Sequence, residues 1–265
     1  MKFLFFILLS LIAIIVIIRY IEANSIFFPM KGVPPVTEQA VAHEDVFFKT
    51  TDDKKLHGRF IAASDPKSST VLFFHGNAGN IGHRWEKIRV LRDLGVSVLI
   101  FDYRGYGQSE GKPSETGIYK DTEATFAYLA GRGILPERII VYGESIGGAF
   151  AIDAATKKSV QALIVEDTFT SVPAMVRRTI PFIPTFILAT RLDSFSKISK
   201  ISVPKLIFHS LDDEIVPFEM GKALSEAAIE PKRFVQLRGG HNTAFSDDFK
   251  VYQQALARFL SDLNR

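Results

Sequence analysis

The stretch Arg138-Ile139-Ile140-Val141-Tyr142-Gly143-Glu144-Ser145-Ile146-Gly147-Gly148-Ala149-Phe150-Ala151-Ile152 decides how this chain folds. A short apolar run leads into Gly143, Ser145 follows two residues later, Gly147 two residues after that, and a helix-forming run begins at once. The order reads as strand, tight turn, helix, with Ser145 at the apex. Side chains at Gly143 or Gly147 would meet the neighbouring strand or helix, and so sharp a turn thrusts the serine hydroxyl clear of the sheet. The first N–H groups of the following helix lack intrahelical acceptors and lie beside that hydroxyl, where an oxyanion could be stabilised. A glycine-rich turn that merely packs closely has the same sequence, and a serine is a poor nucleophile without a base. The partners therefore decide the reading.

Working outward, 265 residues suit one large α/β domain or two small ones, and 47% hydrophobic content is enough to fill a sizeable core. The net charge is +3 with a pI near 9.0, and the basic residues are dispersed. That balance points away from nucleic acid and suits weak attraction to an anionic membrane surface. Cysteine is absent, which excludes disulfides, zinc–thiolate sites and a thiol nucleophile.

Residues 3–18 are apolar except for Ser10, with Lys2 ahead and Arg19 behind. The run through Ile21 approaches the roughly 20 residues a bilayer core needs, with Arg19 able to snorkel. The expectation is one N-terminal transmembrane helix, a membrane anchor over 1–23, making a single-pass membrane protein. A cleaved signal peptide is the rival, but Ile21-Glu22-Ala23 is a poor cleavage site and Arg19 interrupts its approach. Lys2 and the terminal amine favour a cytoplasmic N-terminus, which places the catalytic domain on the extracytoplasmic side. Residues 24–42, with Pro29, Pro34 and Pro35, read as a juxtamembrane connector without a regular period, and 43–265 as the globular domain.

Within that domain a hairpin is predicted over 44–50 and 56–62 around Thr51-Asp52-Asp53-Lys54. Strand-like runs at 70–74, 96–101, 138–142, 162–166, 205–208 and 233–237 then alternate with helical stretches near 83–94, 114–130, 146–156, 218–228 and 247–263. Continuous apolar strands separated by helices imply an eight-stranded, mostly parallel sheet covered on both faces. One insertion, about 167–203, breaks the alternation with Pro173, Pro181 and Pro184 among apolar residues. It follows the carboxyl end of a strand, where open α/β sheets bind ligands, and is a candidate lid.

A serine nucleophile needs a base and a carboxylate to orient it. His241 lies in Gly239-Gly240-His241-Asn242, between the last strand and the last helix, and can point back over the sheet. His75 and His209 read more simply as loop braces, and His43, His57 and His83 as surface or structural residues. Asp212 and Asp213 follow the strand at 205–208, and only one of them is expected to face the histidine. Ser, Asp, His is the chain order of one hydrolase sheet and not of chymotrypsin or subtilisin. A second oxyanion donor should come from the loop after the third strand, His75-Gly76-Asn77-Ala78-Gly79-Asn80, beside the N–H that follows the nucleophile.

Five stretches together resemble the α/β-hydrolase superfamily. They are Phe74-His75-Gly76-Asn77-Ala78-Gly79-Asn80, the run from Asp102 through Tyr103-Arg104-Gly105-Tyr106-Gly107 to Gly111, the serine turn, Asp213-Glu214-Ile215-Val216-Pro217, and Gly240-His241-Asn242. More closely, they resemble its membrane-anchored branch, which includes lysophospholipid and monoacylglycerol lipases and protein depalmitoylases, over about residues 40–262. The resemblance implies an α/β-hydrolase fold, makes Asp213 the triad acid with Ser145 and His241, and makes the backbone N–H groups of Asn77 and Ile146 the oxyanion donors. Asp102 and Arg104 are expected to tie loops together.

The implied activity is hydrolysis of an acyl ester or thioester through an acyl-enzyme, on a small-molecule substrate with a lipid-like chain. A serine aminopeptidase is the enzymatic alternative, for which Asp193 is the one obvious acidic residue in the lid. A membrane-tethered binding protein on an idle hydrolase fold is the alternative of another class. Gly105 and Gly107 are followed by Glu110 where a dinucleotide loop needs its third glycine, and there is no Walker sequence or plausible metal cluster. No cofactor and no metal site are expected.

Overall fold

The computed structural model describes residues 2–32 and 41–263. Helix α1 (Lys2–Ser25) comes first, followed by β1 (Glu44–Lys49), β2 (Lys55–Ile61), β3 (Thr70–Phe74), α2 (Trp85–Asp93), β4 (Ser97–Phe101) and α3 (Glu115–Gly131). The serine turn joins β5 (Ile139–Glu144) to α4 (Ile146–Lys157), and β6 (Ala162–Glu166) leads into the insertion with α5 (Val172–Thr179) and α6 (Phe195–Ile198). The chain closes with β7 (Lys205–Ser210), α7 (Phe218–Ala227), β8 (Lys232–Leu237), α8 (Ala244–Asp247) and α9 (Phe249–Leu263).

The strands make an eight-stranded sheet in the order β1-β2-β4-β3-β5-β6-β7-β8. Only β2 runs against its neighbours, pairing antiparallel with β1 and β4, and the other adjacent pairs are parallel. Alternating side chains of each central strand enter different cores. Leu72 and Phe74 of β3 and Val141 of β5 pack on one face with Phe150 and Ile152 of α4. Val71, Phe73, Ile140 and Tyr142 pack on the other with Ile88 of α2 and Leu256 and Phe259 of α9. Burial on both faces is why these strands read as unbroken apolar runs. The expected fold class is thus observed, with boundaries displaced by a residue or two.

Two helices differ from expectation. The stretch at 83–94 starts later, at Trp85, because Asn80 caps a separate 3-10 turn, Ile81–His83, by accepting from the Gly82 N–H at 3.0 Å. The final helix is broken at Asp248, whose φ of −115° and ψ of 37° separate α8 from α9.

The N-terminal segment is a helix of 24 residues, but among the described residues no helix is long and apolar enough to cross a membrane. The expected transmembrane span therefore has no support from the fold; what the fold shows is an exposed apolar helix. Residues 26–32, within the expected connector, dock on neighbouring loops. Pro29 and Lys31 bridge to Gly79 and Gly107, and Gly107 N–H donates to Met30 O at 2.8 Å. Asn80 Nδ2 donates to Gly32 O at 2.6 Å. Residues 33–40 of the connector, with Pro34 and Pro35, lie outside the described residues.

Phe150 is buried against the Tyr103 and Tyr119 rings, with centroids 5.6 and 5.9 Å away. Truncation there leaves a cavity behind the serine turn, so Phe150→Ala should lower unfolding free energy by about 3–5 kcal/mol in urea titration. A loss under about 1 kcal/mol would mean that the site collapses around the smaller side chain.

Candidate active site

Ser145 sits between β5 and α4 with φ 54° and ψ −120°, a conformation that costs of order 1–3 kcal/mol for a residue with a Cβ. The surroundings hold it there. A Cβ on Gly143 would lie 2.4 Å from Gly147 O, and one on Gly147 would lie 2.1 Å from Phe74 O. Gly148, which the motif does not include, is pressed by Thr168, whose hydroxyl donates to Ser145 O at 3.0 Å.

The two expected partners converge on this serine. His241 Nε2 is 2.9 Å from Ser145 Oγ, and its Nδ1 is 2.7 Å from Asp213 Oδ2. A carboxylate only accepts, so Nδ1 carries the proton and Nε2 is left to take one from the hydroxyl. Asp213 is held in turn by the N–H groups of Ile215 and Val216, which donate to Oδ1 at 2.9 and 2.7 Å. Asp212 faces elsewhere, accepting from Gly239 N–H at 3.2 Å. Burial opposes the charged imidazole of His241, but the hydrogen bond and charge of Asp213 outweigh it and raise its pKa.

His75 and His209 brace loops. Burial pushes His75 down to about 4, so it stays neutral, with Nδ1 2.7 Å from Gly76 O. His209 donates through Nε2 to Val216 O at 2.9 Å, and burial lowers its pKa too. Asp102 accepts from Ile81 N–H at 3.0 Å, and Arg104 bonds Asp121 at 2.8 Å and Asp52 at 3.0 and 3.1 Å, so both tie loops together.

The loop after β3 brings Asn77 to the same place as Ile146, the first residue of α4; both line the cavity that Ser145 faces. The Asn77 side chain is fully engaged. Its Oδ1 accepts from Phe28 N–H at 3.0 Å and Tyr106 OH at 2.8 Å, and its Nδ2 donates to Ile26 O at 2.7 Å.

That cavity measures about 350 Å³, within the ~300–1,000 Å³ of small-molecule sites, and its walls are almost wholly apolar. Val172, Met175, Val176 and Thr179 of α5 line it at i, i+3, i+4 and i+7, while Arg177 and Arg178 in the same last turn stay exposed. Helix α5 of the insertion is therefore one wall of the cavity. Asp193 does not line it; both its carboxylate oxygens bind Ser196, at 3.1 and 2.7 Å.

Sequence reasoning missed three acidic residues. Glu22 is buried beside the cavity, accepting from Ala189 and Thr190 N–H at 3.0 and 2.6 Å. Glu214 accepts from His241 N–H at 2.9 Å and fixes the backbone of the base. Asp167, at the end of β6, accepts from Ser210 N–H at 2.8 Å; burial and then the Glu166 charge push its carboxyl up to about 8. Glu22 and Glu214 belong to segments read as anchor and turn, and only their long-range contacts reveal them.

Among the described residues, Asp167, His209 and Asp213 are the group close enough to share a metal ion. Asp213 is committed to His241 and two amides, His209 Nε2 to Val216 O, and one oxygen of Asp167 to the Ser210 N–H. The set fits a supporting layer beneath the base better than a metal cradle.

Beyond the geometry, the chain has relatives. The family described as the alpha/beta hydrolase fold matches residues 69–195. An alpha/beta hydrolase domain-containing protein of Arabidopsis thaliana, WAV2, is 35% identical over 82% of this chain and 78% of its own length. The chain is an α/β hydrolase. An uncharacterised protein of Mycobacterium tuberculosis is 36% identical over 91% of this α/β hydrolase and 88% of its own length. Among solved structures, a Pyrococcus furiosus esterase superposes with a TM-score of 0.74 at 21% identity, covering 89% of this chain and 98% of the esterase. At that identity the likeness shows the fold.

The His241 geometry has a spectroscopic consequence. Its imidazole should titrate above the ordinary 6.5 in an NMR pH series, charged below that point and neutral above it. Asp213→Asn removes the largest compensating charge and leaves the burial, so the titration should move down from that of the parent. An unchanged midpoint in that variant would contradict the assigned contact.

Proposed function

We propose that this α/β hydrolase is a serine esterase or thioesterase acting on substrates with an apolar acyl chain. The observation that carries the reading is the Ser145–His241–Asp213 relay opening into the apolar cavity under α5. Ser145 Oγ bonds to the acyl carbon as its proton passes to His241 Nε2, and Asp213 holds the imidazolium. The carbonyl electron pair moves onto oxygen, which accepts from the N–H groups of Asn77 and Ile146. Collapse breaks the bond to the alkoxide or thiolate, which takes the proton from His241. Water then repeats the sequence on the acyl-enzyme, releasing the acid and restoring Ser145.

An aminopeptidase needs a free carboxylate to hold the substrate amine. The carboxylate that lines the cavity, Glu22, is occupied by two backbone amides and by Arg19 at 3.5 Å, and Asp193 is turned away. An ester or thioester substrate makes no such demand.

Helix α1 supports a place at a lipid surface. Ile14, Ile15, Val16 and Ile17 are all exposed although four consecutive residues span nearly the whole helix circumference. A helix apolar on every side needs an apolar surrounding. The lid adds Phe182 and Phe186, exposed by 91% and 78%, beside the cationic Arg177 and Arg178. We read α1 as the element that holds the catalytic domain at a lipid surface. Lipid vesicles should then carry the full-length protein upward in a flotation gradient; protein left wholly at the bottom would remove that reading.

Ser145→Ala should abolish fluorophosphonate labelling and lower turnover of p-nitrophenyl esters by several orders of magnitude. Undiminished hydrolysis would sink the assignment. In the parent, kcat/KM should fall as pH drops through a value above 6.5, because the base must be neutral and its pKa is raised.

A further inference from the structure

The cavity has two helical walls, and one of them is α1. Ile18, Ile21, Glu22 and Ser25 line it at i, i+3, i+4 and i+7, the same spacing with which α5 lines the other side. One stripe of α1 is thus committed to the space that Ser145 faces, while its earlier turns stay exposed.

This wall is fastened at both ends of its last two turns. The Glu22 carboxylate, 6% exposed, receives the Ala189 and Thr190 N–H groups at 3.0 and 2.6 Å, locking the helix to the lid. Just past Ser25, Ile26 O and Phe28 N–H are both bound by the Asn77 side chain, at 2.7 and 3.0 Å. The helix therefore ends beside the oxyanion loop and runs away from it. At 1.5 Å per residue, the seven steps from Ser25 back to Ile18 give a wall about 10 Å long. Ser25 lies at the reacting end, Ile21 midway, and Ile18 at the far end.

We propose that α1 is a substrate-binding element and that Ile18 and Ile21 are the specificity-determining residues for acyl-chain length. The proposal rests on the esterase reading above and names the part of the chain that measures its substrate. An acyl chain bound to Ser145 lies along the α1 stripe against Met175 and Val176, and its terminal carbons reach the level of Ile18. Filling the groove there excludes long chains; widening it admits them.

The test uses full-length protein in detergent and a series of p-nitrophenyl esters from acetate to palmitate, with fluorophosphonate labelling of each variant. Ile18→Trp should lower the ratio of kcat/KM for palmitate over butyrate about tenfold or more, the scale of a few methylenes excluded from an apolar pocket. Ile21→Trp should move the cutoff to a shorter chain than Ile18→Trp does. Ile18→Ala should shift the same ratio upward, an opposite movement that loss of folding cannot produce. A profile unchanged in all three variants, or lowered equally at every length while labelling persists, would overturn the proposal. Failure of the parent itself to show Ser145-dependent hydrolysis or labelling would fall on the esterase reading and take this proposal with it.

Discussion

The tightness of the turn between β5 and α4 is the constraint on which everything else depends. Ser145 stays in an unfavourable conformation because Gly143, Gly147 and Gly148 let backbone and Thr168 close in to distances no side chain would allow. The strain is offset by burial of the elements on either side, with Val141 and Tyr142 on β5 and Phe150 and Ile152 on α4 almost wholly enclosed. Sequence thus acts twice at this point. Missing side chains permit the turn, and large apolar ones nearby keep it from relaxing.

A charged layer behind the turn completes the support. Lys87 from α2 reaches Glu144, the residue just before the serine, at 3.2 Å and Glu166 of β6 at 2.7 Å. Tyr142 also bonds Glu166, and the Tyr252 hydroxyl of α9 lies 2.7 Å from that of Tyr142. Burial alone would discharge Lys87; the two carboxylates more than compensate and raise its pKa. Arg84 joins the layer at 3.5 Å from Glu144 and donates to Ala78 O at 2.8 Å. The turn and the loop at 75–80 are consequently pinned by the same ionic group, so Asn77 and Ser145 share one frame.

Much of this was legible beforehand because local rules and the fold agree. Unbroken apolar runs gave strands enclosed on both sides, the glycine spacing gave the turn, and chain order placed Ser145, Asp213 and His241 in the loops after β5, β7 and β8. What stayed hidden depends on contacts between residues far apart in the chain. Glu22 sits in an apolar helix and nothing beside it in sequence indicates that it meets Ala189 and Thr190. Asp167 looks like the first residue of an insertion, yet the backbone of Ser210 and the charge of Glu166 define its chemistry. The 26–32 segment carries no periodicity because its hydrogen bonds go to the loops at 77–80 and 105–107 and to no partner of its own. Period and spacing report elements; they do not report what docks onto them.

The bonds between Asn77 and the Ile26–Phe28 backbone give the molecule an unusual mechanical layout. A leash is normally separable from what it holds, but here the segment that leaves the helix is built into the loop that brings Asn77 to the cavity. Removing the residues up to Gly32 would strip the Asn77 amide of both backbone partners and the Ala189 and Thr190 N–H groups of the Glu22 carboxylate. A trimmed version would retain the relay on an unbraced frame, so solubility and an intact pocket are competing demands on this sequence. Tilting or withdrawing the helix would likewise act on the chemistry directly, as a pull on one wall of a mould changes what is cast in it.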